Sequence, residues 1–374
     1  MISTQAVPGV GPLLDLGGLV DRVVPILVFL VALTVVAEIC DAAGLFDEAA
    51  HWAARLARGR VVVLWLLIVA LSTAATILLS LDTTAVLLTP VAIVVARQVG
   101  AAALPFAMTT LWLANSGSLL LPVSNLTNLL ARHPLSALGV GTTSEYVALI
   151  WRPAVVAVVM TVAVLWILNR RSFSGRFGQP PRGEPHDRLL MLLSAAVVVL
   201  MVAGFILSSQ PAYPAGAAAV VLLVVTWRRA PQLLRSVRPP WLTVLGLCLL
   251  FLVVDAALRH GLEDVLRSVV GSGTSLPDLA RVSGVGAVSA NAFDNLPAYL
   301  ALEPTASDSA VRLVALLVGV NAGPLVTPWG SVATILWLRQ CRRAGLVVGV
   351  PRLALQGLLC AVVVVAAATV SASI

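Results

Sequence analysis

Lysine is absent from the 374-residue chain, so its net charge of +7 rests on arginine alone. Charge of either sign is scarce: 11% of residues are charged and 59% hydrophobic, with a mean hydropathy of +1.00. A water-soluble domain of this length does not carry that composition. Cysteine is sparse and unpatterned. Cys40, Cys248, Cys341 and Cys360 form no CxxC and no matched spacing, which argues against a disulfide framework or a thiolate metal cage and leaves packing thiols. His51, His133, His186 and His260 lie near loops, none in an HExxH, and neither GxSxG nor GxxxxGK[ST] occurs. Intramembrane hydrolysis and a built-in ATPase therefore lack their chemistry, and the chain is expected not to be an enzyme. The period-two alternation of a membrane barrel is missing too.

What is present is a series of continuous apolar runs, from 22–40 and 61–79 through 310–337 and 347–371. At about 20 residues per span they predict an all-α polytopic membrane protein with about 10 or 11 transmembrane or half-spanning helices. The arginines cluster in connections: Arg170, Arg171, Arg176, Arg182 and Arg188 in one, Arg228, Arg229, Arg235 and Arg238 in the next. Between them two apolar runs are joined by the uncharged SSQPAYP. The positive-inside rule puts both basic loops in the cytoplasm and that turn outside. Arg55, Arg58 and Arg60 place an earlier connection on the same cytoplasmic side and the N-terminus outside. No early stretch has the layout of a cleaved signal peptide, so the first apolar run is kept as a span. The expected location is the cell inner (plasma) membrane, and a lipid bilayer accounts for the basic balance without nucleic acid.

Internal repetition organises the rest. NSGSLLLPVSNLTNLL, from Asn115, aligns with NAGPLVTPWGSVATIL, from Asn321, at an offset of 206 (321 − 115). Gly117 meets Gly323, Pro122 meets Pro328, Asn125 meets Ser331, and Asn128 meets Thr334. VVAEICDAAGLFDE and VVDAALRHGLEDV pair Glu38 with Asp255, and a looser match of SLDTTAVLLTP with AFDNLPAYLALEP pairs Asp82 with Asp294. A first repeat over 22–168, a linker of basic loops and two spans over 169–240, and a second repeat over 241–372 follow. The loop signs make the first span of each repeat cross in opposite directions, so the repeats are inverted. Inverted repeats with Gly/Pro-interrupted polar segments at matching places point to a secondary transporter with a site between the repeats near the midplane.

The interruptions have a physical reading. Pro122 and Pro328 remove a backbone donor, and Gly117 and Gly323 loosen the helix before it, freeing backbone groups that only protein or a wet cavity can satisfy. Asn115, Ser124, Asn125, Asn128, Asn295, Asn321, Ser331 and Thr334 offer donors and acceptors without a fixed charge, as a substrate site would. A single such amide is commonly helix-to-helix glue. Matched clusters in both repeats favour a site. Asp82 and Asp294 stand in apolar sequence, where a carboxylate costs roughly 2.5 to 3.5 kcal/mol on insertion scales. They are candidates for ion or proton coupling, and each is equally placed to cap the helix that follows. Glu38 and Asp255 sit nearer span ends, where an acid is ordinary. A non-transporting membrane scaffold is the competing class, but it gains nothing from duplicated midplane polarity.

LANSGSLLLPVSNLTNLL, VGVNAGPLVTPWGSVATILWL, LDTTAVLLTP and NAFDNLPAYL resemble the arsenite/antimonite efflux permeases of the ion-transporter superfamily, from about residue 25 to the C-terminus. That superfamily also contains sodium-coupled carboxylate transporters and sodium/proton antiporters. The resemblance implies broken helices or hairpins meeting near the midplane and outward movement of a neutral arsenic or antimony hydroxide against protons. It implies a substrate site at Asn125 and Ser331 beside hairpins bearing Asp82 and Asp294. Three departures stand out: Leu81 where the permeases commonly have Asn, amides at Asn115 and Asn321 where an acid is common, and a start that lacks roughly two N-terminal spans. The expectation is arsenite/antimonite efflux, with proton- or sodium-coupled carboxylate or inorganic-anion transport next and sodium/proton antiport third. No cofactor is expected beyond a coupling H+ or Na+, and no resident metal. A homodimer is common among such relatives, and the basic loops leave room for a cytoplasmic ATPase.

Overall fold

The computed structural model describes residues 16–178, 187–208, 210–235, 237 and 241–374. Arg182, Arg238 and Ser209 of the loops named above, and the side chain of Asp255, lie outside the described residues. Among the described residues the chain is helical, with no strand beyond an isolated antiparallel bridge between Arg60 and Arg176. Continuous apolar sequence in lipid dictates this, because a helix satisfies its backbone groups within one segment.

The first half runs α1 (Leu16–Ala42), α2 (Leu45–Leu56), α3 (Val61–Leu78), α4 (Leu81–Gln98), α5 (Ala103–Ser116), α6 (Leu126–Ala137) and α7 (Thr143–Asn169). Two apolar helices, α8 (Arg188–Leu207) and α9 (Ala212–Arg229), connect it to the second half, where α9 packs on α1. There the same succession recurs as α10 (Trp241–Ala257), α11 (Glu263–Val270), α12 (Leu276–Phe293), α13 (Asn295–Ala306), α14 (Ala310–Ala322), α15 (Val332–Arg343) and α16 (Val350–Ala372). Among the described residues seven helical stretches are long and apolar enough to cross a membrane, α3 and α4 among them.

Length alone misleads for α3 and α4. The short helix α2 packs against both of them, so the far ends of the pair meet at one place and the chain turns back at Ser80. Likewise α11 packs against both α12 and α13, with the turn at Asp294. These are two hairpins, each seated on a short amphipathic helix. In α2, acids Asp47 and Glu48 open the helix and Arg55 closes it, matching the helix dipole, while Phe46, Ala53 and Ala54 are buried and Trp52 and Leu56 face outward.

The halves interlock reciprocally. Helix α15 packs on α4 and α5, while α6 packs on α13 and α14; the closing helices α7 and α16 pack on each other. Trp337 Nε1 donates to the Ala107 carbonyl at 2.7 Å, pinning α15 to α5, and Trp65 Nε1 donates to Thr109 Oγ1 at 2.9 Å, pinning α3 to α5. At the base of the first hairpin Arg97 Nη1 donates to the Ala344 carbonyl at 2.7 Å, and the Val61 amide donates to the Gly175 carbonyl at 3.2 Å. One face therefore gathers Arg58, Arg60, Arg176, Arg342 and Arg343, the face the charge rule assigns to the cytoplasm. Large apolar side chains such as Leu200 (70% exposed) and Leu242 (87%) point outward, which is ordinary toward lipid. Cys40, Cys341 and Cys360 are buried free thiols.

Candidate functional site

Each hairpin tip is a single strained residue. Ser80 (φ 136°, ψ 165°) and Asp294 (φ 93°, ψ 151°) occupy a region that non-glycine residues rarely enter, and each caps the helix after it. Ser80 Oγ accepts from the Thr83 amide at 3.3 Å, and Asp294 Oδ1 accepts from the Leu296 amide at 3.1 Å. The sequence match sets Asp82 against Asp294; the backbone sets Ser80 against Asp294, at an offset of 214 (294 − 80). The cap with positive φ, not the acid, is what both tips share.

Both broken helices end and restart alike. Helix α5 stops at Ser116 and α14 at Ala322, each followed by glycine; Asn125 (φ −151°, ψ 144°) then caps α6, and Ser331 (φ −150°, ψ 150°) caps α15. Each break is tied to its own hairpin by one hydroxyl. Ser124 Oγ donates to the Ile77 carbonyl at 2.9 Å, and Thr327 Oγ1 donates to the Asn291 carbonyl at 2.7 Å. Residues 77 and 291 stand three before the tips in both repeats. Gly323 is required by close approach, since a Cβ there would collide with the Gly319 carbonyl and with Ala287.

Three of the predicted amides converge. Asn125 Nδ2 donates to Asn321 Oδ1 at 2.9 Å, Thr127 Oγ1 donates to the same oxygen at 2.7 Å, and Asn321 Nδ2 donates to Asn128 Oδ1 at 2.7 Å. Asn128 Nδ2 then satisfies carbonyls freed by the first break, those of Ser118 at 2.6 Å and Leu121 at 3.0 Å. Asn115 occupies the position matching Asn321 but bonds only locally, to the Leu111 carbonyl at 3.1 Å, and its buried Oδ1 has no partner among the described residues. Ser331 and Thr334 pair with each other at 3.0 Å at the start of α15. Asn295 is buried beside Asp294 and makes none of the bonds that join the repeats among the described residues. Pro122 opens the short turn before Asn125, and Pro328 lies in the irregular segment before Ser331.

A cavity of about 260 Å³ opens beside Asn125, between α1, the first hairpin tip and α15. Its polar lining is Thr34, Glu38, Ser80, Asp82, Thr83 and Asn125, with Val332 of the second repeat closing one side. No arginine or histidine lines it among the described residues. Asp82 Oδ1 is buried without a hydrogen-bond partner, and Asp294 lies within electrostatic reach of Asp82. Glu38, read from sequence as an ordinary span-end acid, thus faces the same space as Asp82.

Sequence reading notes Thr127 and Ser118 as polar residues of the first broken stretch but leaves them, and Asn291, out of the site. Asn291 is the largest omission: its side chain donates to the Gly323 carbonyl at 2.8 Å and accepts from the Val326 and Thr327 amides at 3.0 and 3.1 Å, holding the second break together. Its counterpart in the first repeat is Ile77, so no internal match could have flagged it. The signal available was an amide one turn before a strained tip.

The chain is 25% identical over 333 residues to an arsenical pump membrane protein of Escherichia coli, covering 82% of this chain and 76% of that one. It is 26% identical over the same length and coverage to the arsenical pump membrane protein of Yersinia enterocolitica. The crystal structure of the Alcanivorax borkumensis YdaH transporter shares the fold, with a TM-score of 0.59 at 14% identity over 96% of this chain and 87% of that one. The motif resemblance to arsenite permeases is therefore found again across most of the chain, on a fold known from a transporter. A family profile described as citrate transporter matches residues 13–334, and the chain belongs to that family of multi-pass membrane transporters.

Proposed function

We propose that the chain is a secondary active transporter of the inner membrane that exports a neutral trivalent hydroxide, arsenite or antimonite, in exchange for protons. The observation that carries this reading is the lining of the cavity beside Asn125: two carboxylates, one amide and three hydroxyls, with no cation among the described residues. A citrate-like polyanion entering there would meet the carboxylates of Glu38 and Asp82 and no arginine or histidine in the described lining, a like-charge arrangement that opposes ionisation of one or the other group. A neutral trihydroxide meets only groups it can hydrogen-bond. Asn125, its amide hydrogens held by Asn321 and Ser118, presents its amide oxygen; Ser80 and Thr83 present hydroxyls at the hairpin tip. Asp82, with one oxygen unpartnered, is the group placed to take up and release the coupling proton. The 22–168 and 241–372 repeats would then move against each other around that cavity.

Two carboxylates in one cavity also suit a small cation, which supports sodium as the coupling ion as a second reading. The test is flux into proteoliposomes under an imposed pH gradient or an imposed sodium gradient, with arsenite, antimonite or citrate as substrate. Proton-driven arsenite flux that citrate does not compete with supports the reading. Citrate flux at equal protein, with no arsenite flux, contradicts it.

A further inference from the structure

We propose that the cytoplasmic connection joining α2 to α3, together with the loop after α7, forms a binding site for the phosphate headgroup of an anionic phospholipid. This site is separate from the cavity beside Asn125 and plays no part in the transport chemistry argued above. It begins with backbone geometry. The Phe177 amide donates to the Gly59 carbonyl at 2.9 Å, and the Val61 amide donates to the Gly175 carbonyl at 3.2 Å. This two-bond bridge places Arg60 opposite Arg176, with Arg58 two residues before Arg60. Together with Leu56, Ala57, Val63 and Phe177 these three arginines line a cavity of about 440 Å³.

Three features make it a site for an anion. First, three arginines line one cavity with no carboxylate in the lining, and none of them forms an ion pair among the described residues. Like charges held together repel, and an oxyanion shared between them removes that repulsion through charge-assisted hydrogen bonds. Second, the backbone fixes where these arginines sit: α2 ends in a left-handed turn at Arg58 and Gly59, and the two-bond bridge holds that turn against the loop after α7. Arg58 sits at φ 48°, a left-handed conformation that a non-glycine residue adopts at a cost, and Gly59 follows at φ 73°. A side chain at Gly59 would also press a Cβ to 2.7 Å from the Phe177 carbonyl oxygen. Third, the surroundings are those of the membrane–water boundary. Trp52 and Leu56 on α2 are 49% and 61% exposed, and Arg55 lies over the Trp52 ring at 5.2 Å. Trp166, 39% exposed, stacks on Trp65 beneath the loop at 5.6 Å. Tryptophans at that depth mark the headgroup region, and basic pockets on the cytoplasmic side of helix bundles hold anionic headgroups.

The shared chemistry is a phosphate oxyanion, which a lipid or free phosphate could supply. The outward apolar side chains of Leu56, in the lining, and Trp52, four residues before it on α2, favour the lipid, because acyl chains can lie along them while a free ion gains nothing from them. Occupancy would cross-link α2, on which the first hairpin rests, to the end of α7, and so steady the base of that hairpin.

The test uses the purified full-length protein in a zwitterionic detergent. Bound lipids are counted by native mass spectrometry and the unfolding midpoint is followed with added phosphatidylglycerol, phosphatidylcholine or inorganic phosphate. The wild type should retain phosphatidylglycerol and gain a higher midpoint from it, with little response to phosphatidylcholine or phosphate. Arg58→Gln, Arg60→Gln and Arg176→Gln should each weaken phosphatidylglycerol retention by roughly fivefold. Arg176→Gln is the safest variant for folding, because the bridge it sits in is made by backbone groups. The pair Arg342→Gln and Arg343→Gln, on the same face outside this cavity, serves as the control and should leave retention unchanged. Equal retention of both lipids by the wild type, equal loss in the control pair, or a midpoint shift from inorganic phosphate as large as that from phosphatidylglycerol would each overturn the proposal.

Discussion

Asn125 Nδ2 and Asn321 Oδ1 meet at 2.9 Å across the two repeats, and the same Asn321 oxygen also accepts from Thr127 while its amide donates to Asn128. One side chain of the second repeat thus satisfies three of the first. All four residues are buried, and Thr127, Asn128 and Asn321 lie outside the lining of the cavity that Asn125 faces, so water there does not replace their lost bonds.

Replacing Asn321 with Leu should therefore destabilise the protein by about 2 to 3 kcal/mol, taking roughly 0.6 to 1.7 kcal/mol per interhelical bond with partial recovery by rearrangement. Asn115→Leu, which loses one local bond and removes an unpartnered oxygen, should cost less than about 1 kcal/mol. Chemical unfolding of both variants in detergent checks the ranking. An Asn115 variant as damaged as the Asn321 variant would mean that the cross-repeat cluster does not hold the breaks together.

The hairpin tips give a second expectation. Ser80 combines a cap with a backbone conformation suited to glycine. Ser80→Gly should raise stability, because relief of strain, on the order of 1 to 3 kcal/mol, exceeds the few tenths lost when glycine replaces serine as a cap. Ser80→Val, with neither cap nor freedom, should fall below wild type. Thermal unfolding that places the glycine variant lowest would refute the strained geometry at the tip.

Glycines on the second repeat separate packing from open surface. Gly323→Ala drives a methyl group into Ala287 and the Gly319 carbonyl, and should cost about 1 to 3 kcal/mol. Gly284→Ala, on α12 with nothing within 4 Å of its added Cβ, should be neutral or stabilising. The two unfolding curves compared side by side decide it.

How far the sequence could be read follows from these residues. The breaks were legible because Gly117, Pro122, Gly323 and Pro328 carry a local signal that survives in both repeats at one offset. Asn125 and Ser331 stood out for the same reason as polar residues beside the breaks, while their capping of α6 and α15 came only with the structure. The hairpin tip was misaligned by two residues, since a sequence match aligns Asp with Asp whereas the backbone aligns a conformation. Glu38 was undervalued because its position near the end of α1 says nothing about which neighbour it faces; only the packing of the tip against α1 brings it to the cavity. Thr127 and Asn291 are single polar residues whose repeat counterparts are apolar or unrelated, and repetition is blind to them. The two hairpins were foreseen only through resemblance, because a 18-residue apolar helix reads alike whether it crosses or turns back.

Asp82 and Asp294 should separate in function. Asp294 caps α13, a role asparagine also fills, so Asp294→Asn should fold normally while Asp294→Ala loses about 1 kcal/mol. Asp82 has an oxygen with no partner, so Asp82→Asn should insert and unfold like wild type yet abolish the response of flux to an imposed pH gradient. Gradient-dependent flux retained by Asp82→Asn would remove that acid from coupling.

The most direct measurement is arsenite accumulation by everted membrane vesicles energised to an acidic interior, with wild type and Asn125→Ala at matched, correctly inserted amounts. The account predicts gradient-dependent accumulation in the wild type and its loss in the variant, because Asn125 both faces the cavity and joins the repeats. Equal accumulation in the two would contradict a substrate site at the broken helix, and none in either would contradict arsenite as the substrate.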